Sequence, residues 1–355
     1  MLRTLEEEDR PATAAEQLVL AGWSSWGAIP AVFDERDPAW AAERDLLQEL
    51  LSEAEYTQAR RTVLSAYYTD PTYVAAIWQT LTDLGFAGGR VLEPGCGSGT
   101  FLGLAPEGAR VVGVELDSTS ARIARALYPQ HQVRAESFAD TRFAGGWFDA
   151  TVGNVPFADI ALHDPVDNAN RHSIHNHFLL KALRLTRPGG IVAALTSHFT
   201  LDAANPAARR EMSRYADLLG AIRLPSGAHR RTAGTEAVTD LLILRRREPD
   251  RAPHDTTWEG VVDREIDGAT VKVNAYWDQH PENVLGTFTM RHGMYNAEAL
   301  HVRGALPEVA PRLRDALHRI VTDAHTAGLH VTERPLERAD TTDLVDEDVG
   351  TGWDG

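Results

Sequence analysis

Between residues 88 and 248 the chain alternates short β-rich apolar runs with helix-length amphipathic stretches. The runs are Arg90–Leu92, Arg110–Glu115, Phe148–Val152, Ile191–Leu195, Ala221–Leu224 and Leu241–Arg245; between most of them lie Ser118–Leu127, His177–Leu185 and Ala207–Leu218. Pro188-Gly189-Gly190 punctuates the passage from helix to strand. Strands that are apolar throughout must be covered on both faces, which predicts an α/β fold with a mostly parallel sheet between helical layers. Residues 1–66 read as a helical N-terminal extension, with Leu46, Leu47, Leu50 and Leu51 at helical spacing. Within it, Trp23-Ser-Ser-Trp26-Gly27 and Val32-Phe33 read as an anchor onto the main domain. The α/β unit spans 67–248, and a small C-terminal α+β accessory region spans 249–335. That region holds a hairpin over 256–274 around Asp267-Gly268, an aromatic and Gly-rich stretch from Tyr276 to Tyr295, and a helix over Pro311–Ala324. Residues 336–355 form an acidic tail expected to be disordered.

The formal charge of −16 excludes a protein that grips nucleic acid over its whole surface. Cys96, the sole cysteine, permits no internal disulfide and no cysteine-based zinc site, which fits a reducing cytoplasm. Met1–Arg10 lacks the basic-then-apolar order of a signal peptide, and no run of about 18 apolar residues exists to span a membrane. The expected location is therefore cytoplasmic. The histidine cluster His163, His172, His175 and His177 reads as solvated loop and helix-start residues rather than a metal site. Arg209-Arg210, Arg223, Arg230-Arg231 and Arg245-Arg246-Arg247 cluster near strand-end loops where phosphate contact is reasonable; the plainer reading of the last three is a strand ending in solvent.

Val91-Leu92-Glu93-Pro94-Gly95-Cys96-Gly97-Ser98-Gly99 joins a strand to a helix. The dinucleotide pattern would need its third glycine further on. An acid two residues before the first of three alternate glycines resembles motif I of S-adenosylmethionine-dependent methyltransferases. That resemblance implies cofactor contacts from Glu93, Pro94, Gly95, Gly97 and Gly99. At the tip of the second strand it places Glu115, with Leu116 beside it, on the ribose hydroxyls, Asp117 being the runner-up. After the third strand it places Glu136 and Phe138 on the adenine, with Asp140 as a substitute; an intervening Ser137 departs from the usual adjacent pair. Upstream, Tyr67-Tyr68-Thr69-Asp70-Pro71 resembles motif X, implying that Thr69 contacts the methionine end and that Tyr68 or Tyr67 forms a wall.

The fourth strand ends in Asn154-Val155-Pro156-Phe157, which resembles the Asn-Pro-Pro-Tyr/Phe motif of amino-group methyltransferases, with Val for the first Pro. The residue types have a physical reason. An exocyclic amine on an aromatic base is a poor nucleophile because its lone pair is delocalised. Two acceptors on its hydrogens, the Asn154 side-chain oxygen and the Val155 carbonyl, favour a pyramidal nitrogen aimed at the methyl group. Phe157 can stack on the target ring, worth about 1–3 kcal/mol. No cysteine follows a proline here, which argues against cytosine carbon-5 methylation.

Motif X ahead of motif I marks the gamma-type order of N6-adenine DNA methyltransferases. Runs such as Gly153–Asp159, Ser173–Phe178, Gly220–Pro225 and Thr239–Leu244 are similar to the methylase domain of large phage- and plasmid-borne methylase–helicase proteins, over about residues 15–300. The resemblance implies a Rossmann-like seven-stranded sheet in the order 3-2-1-4-5-7-6, with S-adenosyl-L-methionine as cofactor and an adenine in DNA as target. It also implies His229 and Arg230 near a flipped base, no metal, and a helicase or other DNA-holding protein as partner. The alternatives are another amino acceptor, such as RNA guanine N2 or protein glutamine, and a non-catalytic subunit that keeps the fold.

Overall fold

The apolar runs become β1 (Gly89–Pro94), β2 (Ala109–Glu115), β4 (Phe148–Asn154), β5 (Thr186–Ser197), β6 (Ala216–Arg223) and β7 (Thr239–Arg246), with β3 (Gln132–Ala135) between β2 and β4. The structure is a computed structural model that describes residues 1–63, 69–228, 237–292 and 298–332. One sheet orders them β3-β2-β1-β4-β5-β7-β6, as expected. β1 pairs in parallel with β2 and β4, β2 with β3, and β4 with β5; β7 runs antiparallel to both β5 and β6.

Side chains alternate between the two faces with the period of two that strands impose. Val91, Val111, Ala150, Ile191 and Ile243 point to one core, which is closed by α5 (Pro71–Asp83) and the C-terminal helix Val309–Thr326. Leu92, Val112, Phe148, Val192 and Leu242 point to the other, under α8 (Ile174–Leu185) and α10 (Ala207–Tyr215). The helix Val309–Thr326 therefore covers the sheet beside α5, with Ile320 pressed against Gly220 so closely that a Cβ there would lie 2.5 Å away.

Three local expectations shift. Helix α10 ends at Tyr215 and not Leu218, because Leu218 is already paired with Leu244 across β6 and β7. Helix α8 begins at Ile174 and not His177. Pro188-Gly189-Gly190 lies inside β5 at a register shift, where a Cβ on Gly190 would fall 2.4 Å from the Asp149 carbonyl oxygen.

The hairpin around Asp267-Gly268 forms as β8 (Val261–Ile266) and β9 (Ala269–Asn274), and a second antiparallel pair, β10 (Thr287–His292) and β11 (Glu298–Arg303), follows. The N-terminal segment forms α1 (Leu2–Glu7), α2 (Ala14–Ala21), α3 (Ala41–Leu50) and α4 (Glu53–Thr62) around a small core of Trp26, Val32, Phe33 and Ala59. Around α3 the expected apolar face is half kept: Leu47 and Leu51 pack against this core, Leu46 and Leu50 are exposed, and Arg44 is buried and donates to the carbonyls of Val32 and Asp37. This segment sits on α7 (Ser118–Leu127), where Leu5 and Leu20 meet Ile123 and Trp23 Nε1 donates to Ser120 Oγ at 3.0 Å. Among the described residues no helix is long and apolar enough to cross a membrane.

Candidate active site

Open α/β sheets bind ligands outside the carboxyl ends of their strands, and here β1 and β4 are neighbours whose ends carry the two motifs. At the end of β1 the chain turns back at once: the Gly95 and Cys96 N–H groups both donate to the Val114 carbonyl, at 2.7 and 3.1 Å. The turn needs left-handed backbone at Gly95, Gly97 and Gly99, with φ of 76°, 54° and 92°, which glycine adopts without steric cost. A Cβ on Gly97 would meet nothing within 4 Å, whereas one on Gly99 would lie 2.9 Å from the Tyr128 ring. Gly97 thus faces open space and Gly99 makes room for Tyr128. Cys96 is buried against Gly113, and burial pushes its thiol well above the usual range, so it packs and is no nucleophile.

Thr69, Glu93, Gly95, Cys96, Gly97, Ser98, Thr100, Phe101 and Asn154 line one cleft. The Asn154 amide donates to Thr69 Oγ1 at 3.2 Å, joining the upstream motif to the end of β4. The amide nitrogen is thereby turned to Thr69, and the amide oxygen is the end that Thr69 does not hold. Pro94 pairs with Val114 in the strand ladder. Val155 is buried with its N–H on the Leu195 carbonyl (3.0 Å); Pro156 and Phe157 are half-buried, Phe157 against the core under α8.

Glu93 is 2% exposed, and its Oε2 has no hydrogen-bond partner among the described residues. Burial, and then the charge of Glu115, raise its carboxyl well above the usual range. Glu115 folds back over the loop: Oε2 accepts from Gly97 N at 2.9 Å and Oε1 from Asp117 N at 2.8 Å. Burial still pushes Glu115 up to about 7 against those bonds. Asp117, the runner-up, is committed elsewhere as the N-cap of α7, accepting from Ser120 N and Oγ at 2.9 and 2.7 Å. Leu116 is exposed beside it.

The remaining sequence-expected residues lie further out. Glu136 is half-buried, with its N–H on the Glu115 carbonyl and Arg134 3.8 Å from its carboxylate; Asp140 is exposed. Phe138 is buried in the core, its ring 4.8 Å from that of Phe178 and 4.9 Å from the Lys181 ammonium. Tyr68, His229 and Arg230 lie outside the described residues.

Two expectations are corrected. Of the clustered histidines His163 is exposed as expected and His172 is half-buried, but His175 and His177 are not solvated, at 6% and 0% exposed. His177 Nε2 lies 3.2 Å from Asp164, which also pairs with the fully buried Lys181 at 2.9 Å. Lys181 in turn donates to the Phe138 carbonyl at 2.6 Å, tying the loop after β3 to the loop after β4. Nor, among the described residues, do the clustered arginines form an open basic patch; Arg231, like Arg230, lies outside them. Arg223 is fully buried between Asp240 and Asp202, both at 2.7 Å; Arg247 pairs with Asp217 at 2.9 Å, and Arg245 is buried with its guanidinium on Glu248. Arg209 is buried on backbone carbonyls; Arg210 remains exposed. Sequence reasoning missed Lys181 and Asp164, because nothing near either in sequence reveals that burial would bring them together.

Residues 92–194 match the family model of a methyltransferase domain. Over 238 residues the chain is 29% identical to the defense against restriction protein B of Escherichia phage P1, covering 61% of this chain and 10% of that protein. It thus spans about a tenth of the length of this curated relative. A solved modification subunit of a putative type I restriction enzyme from Vibrio vulnificus is 16% identical over 75% of this chain and 65% of its own, with a TM-score of 0.47. A class I S-adenosylmethionine-dependent methyltransferase from Listeria monocytogenes is 14% identical over 68% and 83%, with a TM-score of 0.45.

The sheet order is that of the S-adenosylmethionine-dependent methyltransferase fold, and the stretch that matches the methyltransferase-domain model, residues 92–194, runs from within β1 through β4 and most of β5. The cleft fits that cofactor. Gly97 leaves space where a Cβ would stand, and the buried Glu93 oxygen lacks a donor that a cationic amino-acid moiety supplies.

Proposed function

We propose that this chain transfers a methyl group from S-adenosylmethionine to the N6 amine of adenine in DNA, with the adenine unpaired or flipped out. The observation that carries the reading is the meeting of Asn154 and Thr69 in the glycine-loop cleft, with the Asn154 amide nitrogen committed to Thr69. When bound, S-adenosylmethionine supplies an electrophilic methyl group on a sulfonium. The protein's own residues do the rest. Asn154 Oδ1 and the Val155 carbonyl accept the two amine hydrogens, which frees the nitrogen lone pair and aims it. The buried Val155 and Phe138 keep the neighbourhood dry, and positioning supplies much of the rate. Glu93 holds the cationic end of the donor, and Glu115 takes the ribose hydroxyls. Phe157 stacks on the target ring. His229 and Arg230 are proposed to approach the base from the loop between β6 and β7.

The likeness to a phage protein named for defense against restriction supports DNA as the acceptor. The net charge and the buried arginines support a separate DNA-holding partner, with a helicase as one candidate. The test incubates the purified chain and labelled S-adenosylmethionine with single-stranded DNA, duplex DNA, RNA and protein, then digests the products to nucleosides and amino acids. Label in N6-methyldeoxyadenosine is expected. Label only in RNA or protein would replace the acceptor but keep the domain's chemistry; absence of cofactor binding by calorimetry would end the enzymatic reading.

A further inference from the structure

Phe199 is 58% exposed at the start of the short helix α9 (Phe199–Asp202), directly after β5. Leu195 in β5 is in register with Asn154 in β4, so Phe199 sits at most about 14 Å of extended chain beyond that level. Its ring is backed by His198, with centroids 4.0 Å apart and planes inclined by 34°. The His198 N–H donates to the Val238 carbonyl just before β7, which fixes the pair to the sheet. In the loop that leaves β4, Ile160 is 52% exposed, its carbonyl accepting from Ile174 N at 2.7 Å. A single exposed apolar side chain needs no explanation. Here two stand in the loops that leave adjacent strand ends, β4 and β5, and one of them is pinned by an imidazole.

Charge decides the occupant. Phosphate attraction normally supplies most nucleic-acid affinity. Here the formal charge is −16, and Arg209, Arg223, Arg245 and Arg247 are buried and engaged. Base stacking needs none of those four cations, and every base has a face to offer once it is unpaired. A duplex hides those faces.

We propose that Phe199, backed by His198, is a stacking platform for an unpaired base adjacent to the methylated one in single-stranded DNA. This rests on the nucleic-acid reading above. The experiment measures binding of a fluorescently labelled, adenine-containing single-stranded oligodeoxynucleotide to the wild-type chain, Phe199→Ala and Phe199→Trp over a range of salt concentrations. Phe199 is exposed, so both variants should fold, and an unchanged melting temperature checks this. Phe199→Ala should weaken oligonucleotide binding about tenfold, with Phe199→Trp within about twofold of wild type. Cofactor affinity and the slope of affinity against salt should not move, because no phosphate contact is lost. Equal binding by Phe199→Ala and wild type, or a salt slope shallower by about one in Phe199→Ala, overturns the platform. If the wild type methylates DNA and Phe199→Ala does so with the same KM for the oligonucleotide, the platform alone fails. If the wild type binds cofactor but no oligonucleotide, the nucleic-acid reading fails and the platform with it.

Discussion

On the β1–β2 side of the cleft stand a buried carboxylate, Glu93, and a half-buried one, Glu115; desolvation raises both, the charge of Glu115 raises Glu93 further, and neither pairs with a cation among the described residues. On the β5–β6–β7 side the buried cations are already neutralised: Arg223 by Asp202 and Asp240, Arg247 by Asp217, and Lys181, nearer β4, by Asp164. The second region is electrically complete in the folded chain. The first would be completed by a positively charged ligand, and S-adenosylmethionine carries both a sulfonium and an ammonium. The difference teaches where binding energy is held in reserve and where it has already been used to fix the scaffold.

Breaking the closed side should have the largest effect. Arg223→Met leaves Asp202 and Asp240 facing each other without their cation, and removal of one partner from a buried ion pair costs about 3–5 kcal/mol. Denaturant unfolding should record that loss, whereas Glu93→Gln should leave the unfolding midpoint unchanged or raise it. A Glu93→Gln variant destabilised as strongly as Arg223→Met would erase the contrast. Next in size is chemistry: Asn154→Ala should lower kcat by about 10²–10³, the scale of one lost transition-state hydrogen-bond partner. Cofactor affinity should stay near wild type, because the Asn154 side-chain oxygen is the group assigned to the acceptor amine. Turnover close to wild type would remove Asn154 from the mechanism.

The two sides were also unequally legible in the sequence. Glu93, Gly95, Gly97 and Gly99 fall within seven consecutive residues, so one strand-to-helix turn carries its own signature. Asn154 was legible for the same reason, as the end of an apolar run. The closed side depends on partners far apart in the chain: Arg223 meets Asp202 and Asp240, and Lys181 meets Asp164 and the Phe138 carbonyl. Read in sequence, those arginines and histidines look like solvent-facing groups, because polar side chains are buried only when their partners arrive with them. Helix Val309–Thr326 is a third case. Its apolar spacing was visible, but that it lies on α5 and over Gly220 was not, since those contacts join the two ends of the methyltransferase core.

The open side should respond to pH. Glu115 titrates at about 7 in the folded chain, against about 4.3 in an unfolded one. The folded state therefore binds more protons across that window, and stability falls as pH rises through it. Burial raises the Glu93 carboxyl as well, which adds a fall of the same sign. A cationic ligand prefers both carboxylates ionised, so cofactor affinity should rise over the same range in which the melting temperature of the free chain falls. Thermal melts and calorimetry between about pH 4.5 and 8 check both slopes. Glu115→Gln should make both shallower, and parallel rather than opposed trends in the wild type would mean that the carboxylates do not meet the ligand.

The smallest effect separates the glycines that hold the ligand from those that hold the fold. Gly97→Ala adds a Cβ where nothing lies within 4 Å, so its structural cost is the left-handed backbone alone, about 1 kcal/mol. Gly99→Ala carries that strain and also drives a methyl to 2.9 Å from the Tyr128 ring, an overpacking cost of about 1–3 kcal/mol more. Denaturation should therefore rank Gly99→Ala below Gly97→Ala in stability. Calorimetry with S-adenosylmethionine should rank them the other way in affinity, because only the Gly97 methyl stands in the open part of the cleft. Should Gly97→Ala bind the cofactor as tightly as wild type, the ligand does not approach the loop at Gly97, and the space above it belongs to something else.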